Sequence, residues 1–279
     1  MKMFEAEWQS GDGLHFYGCG WEPDGKIKAS IALVHGLGEH VGRYARVGEA
    51  FANAGYALMG FDLRGHGKSG GPRGHTPGYD ILMDDVALLL EQIETRYTDL
   101  PGFLYGHSLG GNLVLNYALR RRPRVTGVIV TSPWLKLAFE PPVFQVTVGR
   151  LMNRIAPGFT QNSGLETAAL SRDPEVVKAY VNDPLVHDKI TARLFVELYE
   201  SGLWALEHAS DFPLPLLLMC GTGDRIISAE AGRQFAERGG EKVTWLAWDG
   251  WYHEIHNEPE KTQVLTTMFQ WMSDLVNKK

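Results

Sequence analysis

The amino-acid sequence predicts an α/β fold: a mostly parallel sheet flanked by helices, with a helical cap inserted between two strands. Three observations lead there. Short apolar runs recur along the chain, stretches of helical periodicity separate them, and residues 134–204 break the alternation. Strands that are apolar throughout need cover on both faces, and strands alternating with helices form parallel sheets.

In order, residues 4–10 and 14–21 are extended segments around the turn Gly11-Asp12-Gly13. ASIALVHG, from Ala29 to Gly36, is a β-branched and leucine run too short for a helix, hence a buried strand. YARVGEAFANAGY carries apolar residues at helical spacing and stops near Gly55. YALMGFDL is a second buried strand, followed by a Gly/Pro-rich loop from Arg64 to Gly78. ILMDDVALLLEQIETRY is helical, GFLYGH (Gly102 to His107) is a strand, and GNLVLNYALRRR is a helix ending before Pro123. VTGVIVTS, LPLLLMC and KVTWLAW are the remaining strands. In the tail, Val264, Met268, Met272 and Val276 recur every four residues and share a helical face. Residues 134–204 hold five prolines, Pro141 to Pro184, with helical fragments and no clear strand. They form the insertion, and 1–133 with 205–279 form the core.

Composition narrows the class. With 44% hydrophobic and 22% charged residues over 279 positions, disordered and fibrous classes are excluded. A net charge of −6 speaks against nucleic acid, whose affinity a basic stripe would supply. Cys19 and Cys220 are too few and too distant for a disulfide framework or thiolate metal site. No apolar core follows Lys2 as in a signal peptide, and no run reaches the ~18–20 residues of a membrane span. A soluble, cytoplasmic protein without metal or cofactor is expected.

Gly106-His107-Ser108-Leu109-Gly110 is a G-x-S-x-G pattern between a strand and a helix, where a nucleophilic serine is held on a sharp turn. The helix N-terminus aims free N–H groups at the site, and the Leu109 amide is a natural oxyanion donor. A serine needs a base, and the base an orienting carboxylate. Asp224 follows the strand LPLLLMC and His253 follows KVTWLAW, both at carboxyl strand ends, where open α/β sheets place their sites. Two rivals are Asp211, which precedes its strand, and His256, nearer the final helix. The second oxyanion donor is the Leu37 amide, in a loop that Gly36 and Gly38 allow to turn; His35 and His40 are expected to hydrogen-bond locally and hold that loop.

Other motifs carry no function. Gly65 to Gly70 matches G-x-G-x-x-G, but Pro72 and Pro77 leave no helix N-terminus for a pyrophosphate. His253-Glu254-Ile255-His256 is one residue short of a zinc-binding H-E-x-x-H. Arg120-Arg121-Arg122 ends a helix, where cations suit the dipole.

With these residues assigned, the chain resembles the α/β-hydrolase superfamily along nearly its whole length. HGLGEHVGRY, FDLRGHGKSGG, GHSLGG, SRDPEVVKAYVNDPL, CGTGDR and YHEIHNEPE are similar to monoacylglycerol lipases and their lysophospholipase-like relatives. The resemblance implies a cap over the serine, an apolar tunnel for one acyl chain, and a glycerol head held at Arg43, Tyr180 and His256. From the residues alone, Arg43 reads equally as a solvated helix-start charge and Tyr180 as a packing residue of the cap. Apolar residues between Phe139 and Phe159 are expected mostly to pack the cap, with some lining the tunnel and some touching a lipid surface transiently, as the family's caps do. The expected activity is hydrolysis of a monoacylglycerol through an acyl-enzyme. The alternatives are a lysophospholipase or broad esterase with the same triad, or a silent hydrolase fold that binds a lipid; oligomeric state is left open.

Overall fold

The computed structural model describes residues 1–277. Its strands are β1 (Lys2–Gln9), β2 (His15–Glu22), β3 (Ser30–Val34), β4 (Ala57–Phe61), β5 (Gly102–His107), β6 (Gly127–Thr131), β7 (Thr160–Asn162), β8 (Lys189–Thr191), β9 (Leu216–Gly221) and β10 (Val243–Trp248). Eight of them form one sheet in the order β1-β2-β4-β3-β5-β6-β9-β10. The hairpin β1–β2 and the pair β2–β4 are antiparallel, and every other pairing in this sheet is parallel.

The helices are α1 (Ala45–Asn53), α2 (Tyr79–Arg96), α3 (Leu109–Arg121), α4 (Val143–Ile155), α5 (Pro174–Asn182), α6 (Ala192–Glu207), α7 (Ala229–Gly239) and α8 (Thr262–Asn277). Every residue of β3, β4, β6 and β9 is buried, as continuous apolar runs require of a sheet covered on both sides. Side chains alternate between the faces. Ile31 and Leu33 pack with Phe51 of α1 and with Met268 and Met272 of α8. Ala32 and Val34 pack in the opposite layer, with Leu82 of α2, Leu113 of α3, Leu198 of α6 and Phe235 of α7.

The structure departs from the sequence reading in four places. Residues 134–204 are not free of strands: β7 and β8 pair antiparallel, Thr160 opposite Thr191. They are three residues each, and β7 is wholly exposed, so no hydrophobic alternation announces it. A second difference is α7, whose Ser228 cap accepts from the Ala231 amide although the helix offers Phe235 as its one large apolar residue. The helix expected from Tyr44 is preceded by a 3-10 turn, Val41–Tyr44. Finally, α6 runs through Trp204, the expected end of the insertion, and buries Ala205 and Leu206 in the same layer as the sheet.

Residues 134–204 are tied to the rest of the chain by polar contacts. Arg172 pairs with Glu258 at 2.9 Å and His40 with Asp183 at 2.9 Å, while the His187 amide donates to the Gly38 carbonyl at 2.9 Å. Ser108, Leu37, Asp224 and His253 follow β5, β3, β9 and β10, so parallel pairing brings all four to one edge of the sheet.

Candidate active site

Ser108 sits between β5 and α3 with φ 54° and ψ −114°, a backbone conformation L-residues avoid. The turn is possible because its neighbours are glycine: a Cβ at Gly110 would collide with the Val34 carbonyl, and one at Gly106 with the Gly110 carbonyl. The Ser108 Oγ lies 3.0 Å from His253 Nε2, and His253 Nδ1 lies 2.7 Å from Asp224 Oδ2. With the proton on Nδ1, the imidazole donates to the carboxylate and leaves Nε2 to accept from the serine. The other carboxylate oxygen of Asp224 accepts from the Ile226 and Ile227 amides at 2.8 and 3.1 Å, which locks its orientation. Asp211 lies in a 3-10 turn before β9, at the far end of that strand.

Burial lowers the His253 pKa, but the Asp224 charge and hydrogen bond outweigh it, and the net shift is upward from 6.5. His107 and His256 lack such a partner. Burial takes His107 well below its ordinary value and His256 to about 4, so both are neutral imidazoles at pH 7. The Leu37 and Leu109 amides have no acceptor among the described residues. They flank the serine: a Cβ at Gly36 would come 3.2 Å from Ser108 Cβ, so the loop after β3 runs against Ser108.

Ser108 opens into a cavity of about 660 Å³. Trp134, Phe139, Phe144, Val148, Phe159 and Phe195 line its apolar part, and Glu39, Tyr180 and Glu254 line it beside the serine. Among the described lining residues the one arginine is Arg225, which pairs with Glu166 at 2.9 Å. Of the three residues expected at the head group, only Tyr180 reaches this cavity. Arg43 lies behind its wall, bound to Glu39 and Glu254, with its guanidinium 4.7 Å from the Tyr180 ring centroid. His256 is also behind it, stacked on Tyr44 at 5.0 Å, and its Nδ1 has no partner among the described residues. His35 does hold its loop, by the Gly36 carbonyl and the Leu63 amide, but His40 bonds the distant Asp183 rather than a local group.

Sequence reasoning missed three contributors. Glu39 and Glu254 face the cavity, and Ser132 donates its hydroxyl to the His253 carbonyl at 2.8 Å from a backbone φ of 46°. The acidic pair stood in quoted motifs, HGLGEH and YHEIHNEPE, whereas Ser132 carries no sequence signal.

A doubly covered parallel sheet with a strained serine at a strand-to-helix turn, bonded to histidine and then aspartate, defines an α/β-hydrolase of the serine-hydrolase class. Residues 25–260 match the family described as Hydrolase_4, serine aminopeptidase S33, and the chain belongs to it. It is 34% identical to a monoacylglycerol lipase of Mycolicibacterium smegmatis over 90% of each chain. It is 36% identical, over 92% of its length, to an uncharacterized abhydrolase domain-containing protein of Dictyostelium discoideum, but spans only 27% of that longer chain. Among solved structures, a monoacylglycerol lipase of Paleococcus ferrophilus superposes with a TM-score of 0.84 at 33% identity, over the whole of both chains.

Proposed function

We propose that this protein hydrolyses monoacylglycerols to fatty acid and glycerol through an acyl-enzyme on Ser108. The observation that carries this reading is the two-sided cavity at the serine: aromatic and aliphatic walls suited to one acyl chain, with Glu39, Tyr180 and Glu254 where an alcohol would leave. These side chains can hydrogen-bond the hydroxyls of a polyol, and the one arginine among the described lining residues, Arg225, is already paired with Glu166 rather than free for a phosphate. The similarity to monoacylglycerol lipases points the same way.

In this mechanism His253 Nε2 takes the Ser108 proton as Oγ attacks the ester carbonyl. The Leu37 and Leu109 N–H groups bind the oxyanion, the C–O bond to the alcohol breaks, and His253 returns the proton to the departing oxygen. Water, deprotonated by the same imidazole, then releases the fatty acid and restores Ser108. Tyr180 keeps a head-group role, while Arg43 and His256 act from behind the wall. Residues 134–204 serve as the cap that closes the acyl site.

The test is hydrolysis of a monoacylglycerol, a lysophosphatidylcholine and an aminoacyl arylamide, the first two with one acyl chain. The monoacylglycerol is expected to turn over at least tenfold faster in kcat/KM than either. A faster lysophospholipid would make the protein a lysophospholipase, and a faster arylamide would make it a peptidase.

The cap surface extends the reading. Packing was expected for most apolar residues between Phe139 and Phe159, yet of this group Val146 is buried while Val143, Phe144, Leu151 and Ile155 are 83, 66, 54 and 68% exposed. Phe144 also lines the cavity, so the exposed strip adjoins the substrate entrance. An apolar patch of this kind marks an interaction surface, and insertion into a lipid surface would bring it against the substrate's own phase. Glutamate at both Val143 and Ile155 is expected to abolish flotation with phosphatidylcholine vesicles while leaving hydrolysis of a soluble short-chain ester within twofold. Unchanged flotation would remove the membrane role. No helix of the described residues is long and apolar enough to cross a membrane.

A further inference from the structure

Arg43 holds together two loops that the proposed chemistry needs at a fixed separation. Its Nη1 donates to Glu39 at 2.6 Å and to Glu254 at 2.7 Å, and its Nη2 donates to the second oxygen of Glu254 at 2.8 Å. Glu39 lies in the loop after β3, and Glu254 directly follows His253. All three side chains are nearly sealed from solvent, at 9, 3 and 2% exposure.

Glu39 passes the restraint to the oxyanion loop. One of its oxygens accepts from the Gly36 amide at 2.6 Å and from the Tyr44 hydroxyl at 2.9 Å. With the Gly36 N–H so engaged, the next amide, that of Leu37, stays free beside Ser108. On the other side, Asn257 donates to Glu254 at 2.8 Å, and the Glu254 amide donates to the Leu170 carbonyl at 2.7 Å. Neither carboxylate can turn without breaking several bonds.

The charges make the arrangement informative. Burial pushes the Glu254 carboxyl up, and the Arg43 guanidinium more than reverses this, leaving it at about 2. The second carboxyl, Glu39, moves the other way: burial and the neighbouring Glu254 charge push it above its ordinary value despite Arg43, so the guanidinium's charge is matched mainly by Glu254. Buried ion pairs are weak sources of stability compared with apolar packing. A planar guanidinium that forks onto two carboxylates does supply fixed geometry, which a point charge does not.

We propose that the Glu39–Arg43–Glu254 bridge is a positioning clamp that sets the Leu37 oxyanion donor at its working distance from Ser108 and His253. The proposal rests on the triad reading above. It gives Arg43 a part in the reaction without contact with the substrate, in place of a head-group ligand.

Arg43→Lys is the decisive variant, because lysine keeps the charge and loses the fork. The substrate is a soluble p-nitrophenyl ester, which has no glycerol head. The clamp predicts a fall in kcat of about 10- to 100-fold, the scale of a sub-ångström to ångström misplacement, with KM within twofold. An alkyl boronic acid, which forms a tetrahedral anion on the serine, should lose affinity by the same factor, and binding of a fatty alcohol should not change. Wild-type kcat in Arg43→Lys, with loss only in Arg43→Met, would reduce the residue to a charge and overturn the clamp. A normal kcat with a raised KM for monoacylglycerol alone would restore the head-group role and overturn it equally. Should Arg43→Lys fail to fold, Tyr44→Phe removes one Glu39 hydrogen bond while keeping the ring stacked on His256. It is expected to lower kcat and boronate affinity together by about threefold, on the scale of a single neutral hydrogen bond, and no change would overturn the clamp. Failure of the triad reading looks different: wild-type protein would then neither react with a fluorophosphonate at Ser108 nor bind the boronate.

Discussion

Ser108→Ala is expected to lower monoacylglycerol hydrolysis by about 10⁶-fold in kcat, a loss of about 8 kcal/mol of transition-state stabilisation. The size follows from the chemistry rather than from packing. The side chain is small, 7% exposed and part of the cavity lining, so removing its oxygen is expected to leave the fold and the acyl site intact. What disappears is the covalent route. Without Oγ the imidazole can still activate water, and the Leu37 and Leu109 amides can still bind an oxyanion, so activity should remain above the uncatalysed rate by about 10³- to 10⁴-fold. Substrate affinity should be unchanged, and fluorophosphonate labelling should be lost. Chromatography-pure Ser108→Ala retaining more than a hundredth of wild-type kcat would refute the acyl-enzyme.

The clamp has a different signature because it acts on the same transition state without supplying an atom to it. Loss of Ser108 removes a bond-forming step, whereas loss of the Arg43 fork leaves every reacting group in place and moves one donor. The two defects should therefore be less than additive, since with the serine gone the residual reaction gains little from a donor aligned on Ser108.

How far the site is legible in sequence depends on whether its geometry is local. Ser108 is readable because the turn imposes its own residues: Gly106 and Gly110 stand where side chains would strike the backbone of α3 and β3. Asp224 and His253 are readable because parallel strands present their carboxyl ends along one edge, so the first residues after β9 and β10 must meet there. The clamp is local in one arm only: Glu39 stands four residues before Arg43, but the other arm is distant. Arg43 and Glu254 are 211 residues apart, and nothing in the run of residues around either one names the other. The same distinction separates the elements. Continuous apolar runs identify β3, β4 and β9, while β7 is Thr160-Gln161-Asn162 and exists because β8 lies beside it. For α4 the helical spacing is plain, but periodicity cannot tell which face lacks a neighbour, and here most of the apolar face lacks one.

Asp224→Asn tests the orientation of the base and should cost about 10⁴-fold in kcat. The carboxylate does two things in this structure. It accepts from His253 Nδ1 at 2.7 Å, which places the neutral imidazole's proton on the side away from Ser108, and its charge raises the His253 pKa. Asparagine fills the same volume and can keep accepting from the Ile226 and Ile227 amides through its oxygen. Its amide then faces Nδ1 as a donor, so the ring is held with its proton on Nε2, where it cannot take one from serine. The pH profile separates this from simple damage. His253 must be neutral to act, so wild-type activity rises with pH through the His253 pKa, and the acid limb should lie above pH 6.5 because that pKa is raised. Removing the Asp224 charge removes the largest cause of the rise, leaving only the smaller contributions of Glu254 and Glu39 against burial, so the acid limb of the residual activity should move to lower pH. A variant that lost activity with its acid limb unmoved would show that Asp224 contributes by holding the Ile226 loop and not by acting on His253.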